Sequence, residues 1–301
     1  MADDALVVNA RKPVEWFEEA IPIRGCKLSL DDVTQLYREL SAINRNFGEH
    51  IISTLKREEG STEKQWHDRK AFLLNDAFCL TVTIRGQRDQ QMYGETPEIF
   101  RSPDLPHPIK SVYFNNVTAF ARHANGTEPE NRLELLLDFG KPELLDPNPL
   151  VSEPTPNRSE VTIRANDMTY FRAVQKVVDA KLTSRRTWYG VIHRTFVYDL
   201  GLWLVALPIS LFFATNFLEK WLPIGSLFSA YRWALFIYLV GIFLICYRIA
   251  ISYTKWAFPV NVLIENKDTA WKHRTFLGAV LVWIGYKLID AVWSIFVTAA
   301  S

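Results

Sequence analysis

The residues able to do chemistry are few and widely spaced in this chain. Its six histidines, at positions 50, 67, 107, 123, 193 and 273, never stand three or four residues apart, so no helix presents a paired-imidazole metal site. Cys26, Cys79 and Cys246 are too dispersed for a zinc site and, being odd in number, do not make a disulfide framework. His67-Asp68 is a lone dipeptide in a charged stretch, and His107 sits between two prolines, as in a rigid exposed loop. Arg85 and Arg88 suit either a phosphate-bearing ligand or a solvated hairpin end. GxGxxG, the phosphate-binding lysine loop, HExxH, GxSxG and CxxC are all missing. The sequence therefore predicts no catalytic residue, no cofactor and no metal.

Two constellations matter instead for the apolar chain around them. Lys287 and Asp290 are three residues apart, on one face of a helix, in the middle of an otherwise hydrophobic stretch at 275–300. A charge at mid-bilayer costs about 2.5–3.5 kcal/mol on insertion scales, so such a pair faces a bundle interior or a wet path. The stretch reads either as a span with a polar stripe inside an oligomer, or as a helix in the interface or a half-length hairpin. The second constellation is Arg185, Arg186, Trp188, Tyr189 and Arg194, basic and aromatic side chains suited to lipid headgroups beside a membrane helix.

The elements that position these groups fall into unlike halves. Residues 1–184 carry 23 Lys/Arg against 28 Asp/Glu; residues 185–301 carry 11 against 5 and hold eight of the ten tryptophans. The boundary lies near Arg185, with a juxtamembrane linker at 185–195. Residues 200–218 are uncharged, and at about 1.5 Å per residue they cover a hydrocarbon core of roughly 30 Å. Pro208 in this run predicts a kink. Residues 233–247 form a second run, extending to 253 if Arg248 snorkels. The predicted spans are thus 196–218 and 231–253, with 275–300 a possible third. Eight cations flank them on one side and two in the connecting loop, which places the N-terminal half in the cytosol of an inner or plasma membrane. No basic n-region precedes an apolar segment at the N-terminus, so the sequons at Asn116, Asn125 and Asn157 read as unused.

The first half reads as an α+β domain of order αββββα, an antiparallel four-stranded sheet with two helices. A helix from Ser29 to about Lys56 opens on a Ser29/Asp32 capping box. Its apolar stripe, Leu36, Leu40, Ile43, Phe47, Ile51 and Leu55, packs on its own sheet or forms an oligomer seam. Strands follow around Phe78–Ile84, Val112–Phe120, Leu133–Phe139 and Val161–Ile163. A last helix, capped by Asn166 or Asp167, leads into the linker.

The chain is therefore expected to be a non-enzymatic membrane protein. Its cytosolic domain would bind a ligand or partner, and its helices would self-assemble, as a pore or a membrane-disrupting effector. The layout is similar to that of small membrane-tethered effectors of bacterial defence, an analogy of architecture alone. The alternatives are a membrane-anchored scaffold or accessory subunit, and a membrane enzyme with dispersed catalytic residues. The expected partners are the lipid bilayer and copies of the chain or another protein. Nucleic acid is not expected, because the first half is acidic.

Overall fold

The structure is a computed structural model describing residues 16–57, 60–144, 155–222, 231–266, 270–280, 282–283 and 286. The chain divides into two compact units. The first comprises Met1–Gly140, Asn157–Trp188 and Asn261–Lys267; the second comprises Lys141–Pro156, Tyr189–Val260 and Asp268–Ser301.

The first unit is built on a six-stranded sheet. Its strands are β1 (Phe17–Pro22), β3 (Thr81–Gly86), β4 (Gln91–Gly94), β5 (Ile109–Asn115), β6 (Arg132–Asp138) and β7 (Glu160–Ala165). β2 (Lys27–Leu28) lies apart from them. The order is β1-β7-β6-β5-β3-β4, and every pairing is antiparallel. Strand alternation sends Val112, Phe114, Leu133, Leu135, Leu137, Val161 and Ile163 to one face, where all are buried. Tyr113, Glu134, Thr162 and Arg164 take the other.

Helix α1 (Leu30–Thr54) and helix α4 (Met168–Thr183) cover the apolar face. The predicted capping box is present: Ser29 Oγ accepts from Asp32 N–H at 3.0 Å, and Asp32 Oδ2 accepts from Ser29 N–H at 2.8 Å. Asp167 caps α4 by accepting from Thr169 N–H at 2.8 Å. Leu36 and Leu40 are buried in the unit's own core, while Ile43, Phe47, Ile51 and Leu55 are half-buried against it or a small cluster around Phe78. Tyr37 Oη reaches two carbonyls, Leu80 O and Glu95 O, each at 2.7 Å.

The α+β class and antiparallel sheet agree with the sequence; the αββββα order does not. β1 and β4 are added at the two edges. β1 is half-buried and carries two adjacent glutamates, which erase the alternation a buried strand would show. The charged stretch around His67 is helix α2 (Glu63–Asp76), invisible to periodicity because it buries no side chain. The strand expected at 112–120 ends at Asn115. Asn115 Oδ1 accepts from Thr118 N–H at 2.8 Å and starts helix α3 (Val117–His123).

The second unit contains two helices long and apolar enough to cross a membrane, Phe196–Trp221 and Arg232–Ala257. The first is α5 (Thr195–Gly201), a π-helical turn at Leu202–Ala206, and α6 (Leu207–Trp221); the second is α7. A proline ring clashes with the carbonyl four residues back, which for Pro208 is Leu204. The wide turn at Leu202–Ala206 contains that carbonyl and relieves the clash. Ser210, Ala214 and Leu218 recur every fourth residue of α6 and are buried; the first two are small side chains of the kind that let helices such as α6 and α7 approach closely. Gly201 leaves room for α7's Tyr247, whose hydroxyl would meet a Cβ at that position. Arg248 is buried, with its guanidinium 5.8 Å from the Tyr198 ring centroid, rather than snorkelling as the sequence suggested. Helix also occurs at 271–280, whereas Lys287 and Asp290 lie outside the described residues.

Gly48 gives a direct test of α1 packing, since a Cβ there would lie 2.4 Å from Phe78 Cγ. Gly48→Ala is expected to cost about 1–3 kcal/mol as an overpacked core site. Urea unfolding followed by circular dichroism measures it.

Candidate membrane-interface site

β2 holds together chain segments far apart in sequence. On one side, Lys27 N–H donates to Arg185 O (3.0 Å) and Thr187 N–H to Gly25 O (2.5 Å), while Cys26 and Arg186 form an antiparallel bridge. On the other side, β8 (Val262–Leu263) runs parallel, with Val262 N–H donating to Cys26 O (2.9 Å) and Ile264 N–H to Leu28 O (2.8 Å). The segment leaving for the apolar hairpin and the segment returning from it therefore flank one short strand.

Side chains of the returning segment complete the joint. Asn261, 2% exposed, accepts from Cys26 N–H (2.9 Å), and its Nδ2 lies 2.9 Å from Ser159 Oγ and 3.2 Å from Asn157 Oδ1. Glu265 accepts from Leu30 N–H (2.8 Å), satisfying a donor in the first turn of α1. Asn266 pairs with both backbone groups of Ile109, accepting at 2.9 Å and donating at 2.7 Å. The Arg185 guanidinium meets Asp32 at 2.7 Å. Burial pushes the Asp32 carboxyl up, but hydrogen bonds from Ser29 and Arg185 more than offset this and hold it below its ordinary value. Burial raises the Cys26 thiol to about 11, so it is protonated and unreactive at neutral pH.

In the second unit, basic and aromatic side chains gather around the end of α7. The Tyr253 and Trp256 rings stack with centroids 6.1 Å apart, and His273 stands edge-on to Trp256 at 5.1 Å. Tyr253 Oη and His273 Nδ1 are 2.6 Å apart. The Lys141 ammonium lies 5.0 Å from the Trp256 ring centroid. Arg274 donates to Ala257 O (2.7 Å) and covers the Phe258 ring, which Tyr189 also meets at 5.3 Å. Nearby, His193 is buried between Thr155 Oγ1 (2.9 Å) and Phe258 O (2.6 Å). A carbonyl only accepts, so Nε2 carries the proton and Nδ1 accepts from Thr155. Burial lowers its pKa to about 4, aided by Lys255 and opposed by the Phe258 bond.

The other sequence candidates lie elsewhere. Arg186 supplies backbone to the β2 bridge, Trp188 is exposed, and Arg194 precedes α5. His107 borders an open groove of about 480 Å³, lined also by Gln90, Gln91, Met92 and Asp104. Asn116 is buried, and its Nδ2 donates to Asn44 Oδ1 (2.9 Å) and Asn131 O (2.8 Å), leaving no room for a glycan. Glu95 binds Tyr93 Oη (2.7 Å) and Arg122 (2.5 Å); the Tyr93 bond and the Arg122 charge hold its carboxyl below the usual range. Among the described residues no cluster of three or more His, Cys, Asp or Glu is placed to hold a metal.

No known protein family, curated protein or solved structure matches the chain.

Sequence reasoning singled out 185–194 but missed Asn261, Asn266 and the Lys141/Trp256/His273 group. The cations at 255, 272 and 274 were visible as flanking charge. Which rings they meet depends on the fold: Lys272 lies over Trp271 and Arg274 over Phe258.

Asn261→Ala leaves the Cys26 N–H without its acceptor and is expected to cost about 1–3 kcal/mol. Faster amide exchange at Cys26 and a lower melting temperature measure the loss. His193 gives a pH signature: its folded pKa is depressed, so its contribution is full above the unfolded value near 6.5 and is lost as pH falls towards about 4. Melting temperature should drop across that window in the natural chain, and the part due to this residue should vanish in His193→Gln.

Proposed function

We propose that the chain is an integral membrane protein whose apolar hairpin anchors the α+β unit at the cytosolic face. The unit acts as a non-enzymatic sensor, and a ligand or partner bound there alters how the helices assemble with other copies, as in a pore or membrane-disrupting effector.

The observation that carries this reading is the joint at β2. Both ends of the hairpin are fastened to one strand, which lies directly before the capping box of α1. Any shift of α1 or β2 on binding thus acts on both helix ends at once. The membrane assignment draws support from exposure, since only 17% and 6% of the most apolar windows of the two helices are buried. Leaving such surface in water would be costly at roughly 25 cal/mol per Å². The orientation draws support from the cations around α7's end, on the side where the chain returns to the α+β unit.

Helix α2 favours a second reading, that of a membrane-anchored accessory subunit. It buries no side chain and exposes Phe72, a surface suited to another protein.

Dye-loaded liposomes carrying the full chain separate the two. Assembly into a pore predicts leakage that falls at least tenfold in Lys287→Met/Asp290→Asn. Tight liposomes with a stoichiometric partner co-purified favour the accessory subunit. Tight liposomes under every condition, with the protein oligomeric, would sink the pore reading.

A further inference from the structure

We infer that the exposed surface of the β2 joint docks on a bilayer leaflet that carries anionic phospholipid. It presents Arg24, Lys27 and Arg186 together with the apolar side chains of Trp188 and Ile264. This rests on the membrane reading above and deepens it by naming the lipid class and the face of the α+β unit that meets it.

Strand alternation selects what the joint exposes. Cys26 and Leu28 point inward from β2 and are buried, so Lys27 between them turns outward. In β8 and its flanks, Asn261 and Leu263 are buried and Ile264 emerges, 53% exposed. The pairing of Lys27 with Val262 and of Leu28 with Leu263 brings the outward faces of the two strands together. On the other flank, Arg186 stays exposed beside Cys26, and Trp188 follows two residues later, 81% exposed.

Charge sets the sign of the surface that fits. Segments 24–28, 185–188 and 261–266 carry Arg24, Lys27, Arg185 and Arg186 against one carboxylate, Glu265. Arg185 is engaged by Asp32, and Glu265 by the Leu30 N–H. Arg24, Lys27 and Arg186 make no ion pair among the described residues. Residues 1–184 as a whole carry 28 Asp/Glu against 23 Lys/Arg. An anionic leaflet therefore repels most of the unit's surface and attracts it here.

Chain length brings the leaflet within range. Helix α7, with 26 residues or about 39 Å, exceeds a hydrocarbon core of roughly 30 Å and carries its end out among the headgroups. Four residues lead from Ala257, the last of α7, to Asn261, and extended chain spans at most about 14 Å over them. The returning leg thus holds β8 and its partner β2 close to the headgroup layer. Basic side chains reach phosphates there, and an exposed tryptophan finds the interface that amphipathic rings favour.

The test places the full chain in nanodiscs of phosphatidylcholine, with or without phosphatidylglycerol, and follows acetylation of Lys27 by mass spectrometry. Lys64 is the reference, because α2 packs at the far end of α1 from β2. Phosphatidylglycerol should slow Lys27 about fivefold relative to Lys64, the factor of one basic residue held at an anionic surface. Arg24→Glu/Arg186→Glu should restore the rate seen in phosphatidylcholine, and Lys56→Gln, beyond the far end of α1, should leave the slowing intact. Should the double variant fail to fold, Arg186→Gln alone must still weaken it. Equal labelling in both kinds of disc, or slowing that persists in the folded variants, overturns the surface. Equal slowing by inorganic phosphate in phosphatidylcholine discs overturns the lipid as its source. Alkaline carbonate extraction separates the layers: a chain washed off membranes refutes the membrane reading itself, whereas a retained chain without slowing refutes only this surface.

Discussion

Much of the first unit depends on one short strand having two neighbours. Gly25–Leu28 pairs with the chain on its way to the apolar hairpin and with the chain coming back. Two residues of formal strand are too few to be stable alone; cooperativity comes from the side chains around them. Asn261 supplies the acceptor Cys26 needs and reaches the start of β7 at Ser159. Asn266 does the same for the first residue of β5, and Glu265 for the first turn of α1. Three polar side chains from one hexapeptide thus satisfy backbone groups of three elements. In a buried setting each unmade bond would cost more than the made bond returns.

The constraint also limits what the sequence could disclose. The capping box at Ser29, the Leu133–Leu137 alternation and the Asp167 cap were legible because each acts within a few residues of itself. The 3.6 and 2.0 periods exposed the covered face of α1 and of the central strands for the same reason. β1 and α2 escaped because they bury too little to leave a period. β8 escaped differently: Val-Asn-Val-Leu reads as extended chain, and only its partner 235 residues earlier makes it a strand. Asn261 and Asn266 look like ordinary loop residues. Their importance comes from register with distant backbone, and a single sequence does not display that.

The candidate interface shows the same division. Flanking cations could be counted along the chain. The rings they meet could not: Lys141 lies over Trp256, Lys272 over Trp271 and Arg274 over Phe258. Within the hairpin, Pro208 was readable as a distortion, and the π-helical turn before it is the form that distortion takes. Arg248 moved furthest from expectation. Its guanidinium is buried and lies 5.8 Å from the Tyr198 ring centroid.

The position of β8 has a consequence for biosynthesis. A chain made from its N-terminus produces the whole six-stranded sheet before α5 emerges. Asn261, Glu265 and Asn266 follow only after α7 is complete. Until then Cys26, Leu30 and Ile109 wait with backbone groups unpaired, and β2 has an open edge. The α+β unit therefore reaches its final form only once the hairpin has turned and come back. A chain whose hairpin fails to double back carries its own mark of failure, an open strand edge on an otherwise folded domain, of the kind chaperones and proteases recognise.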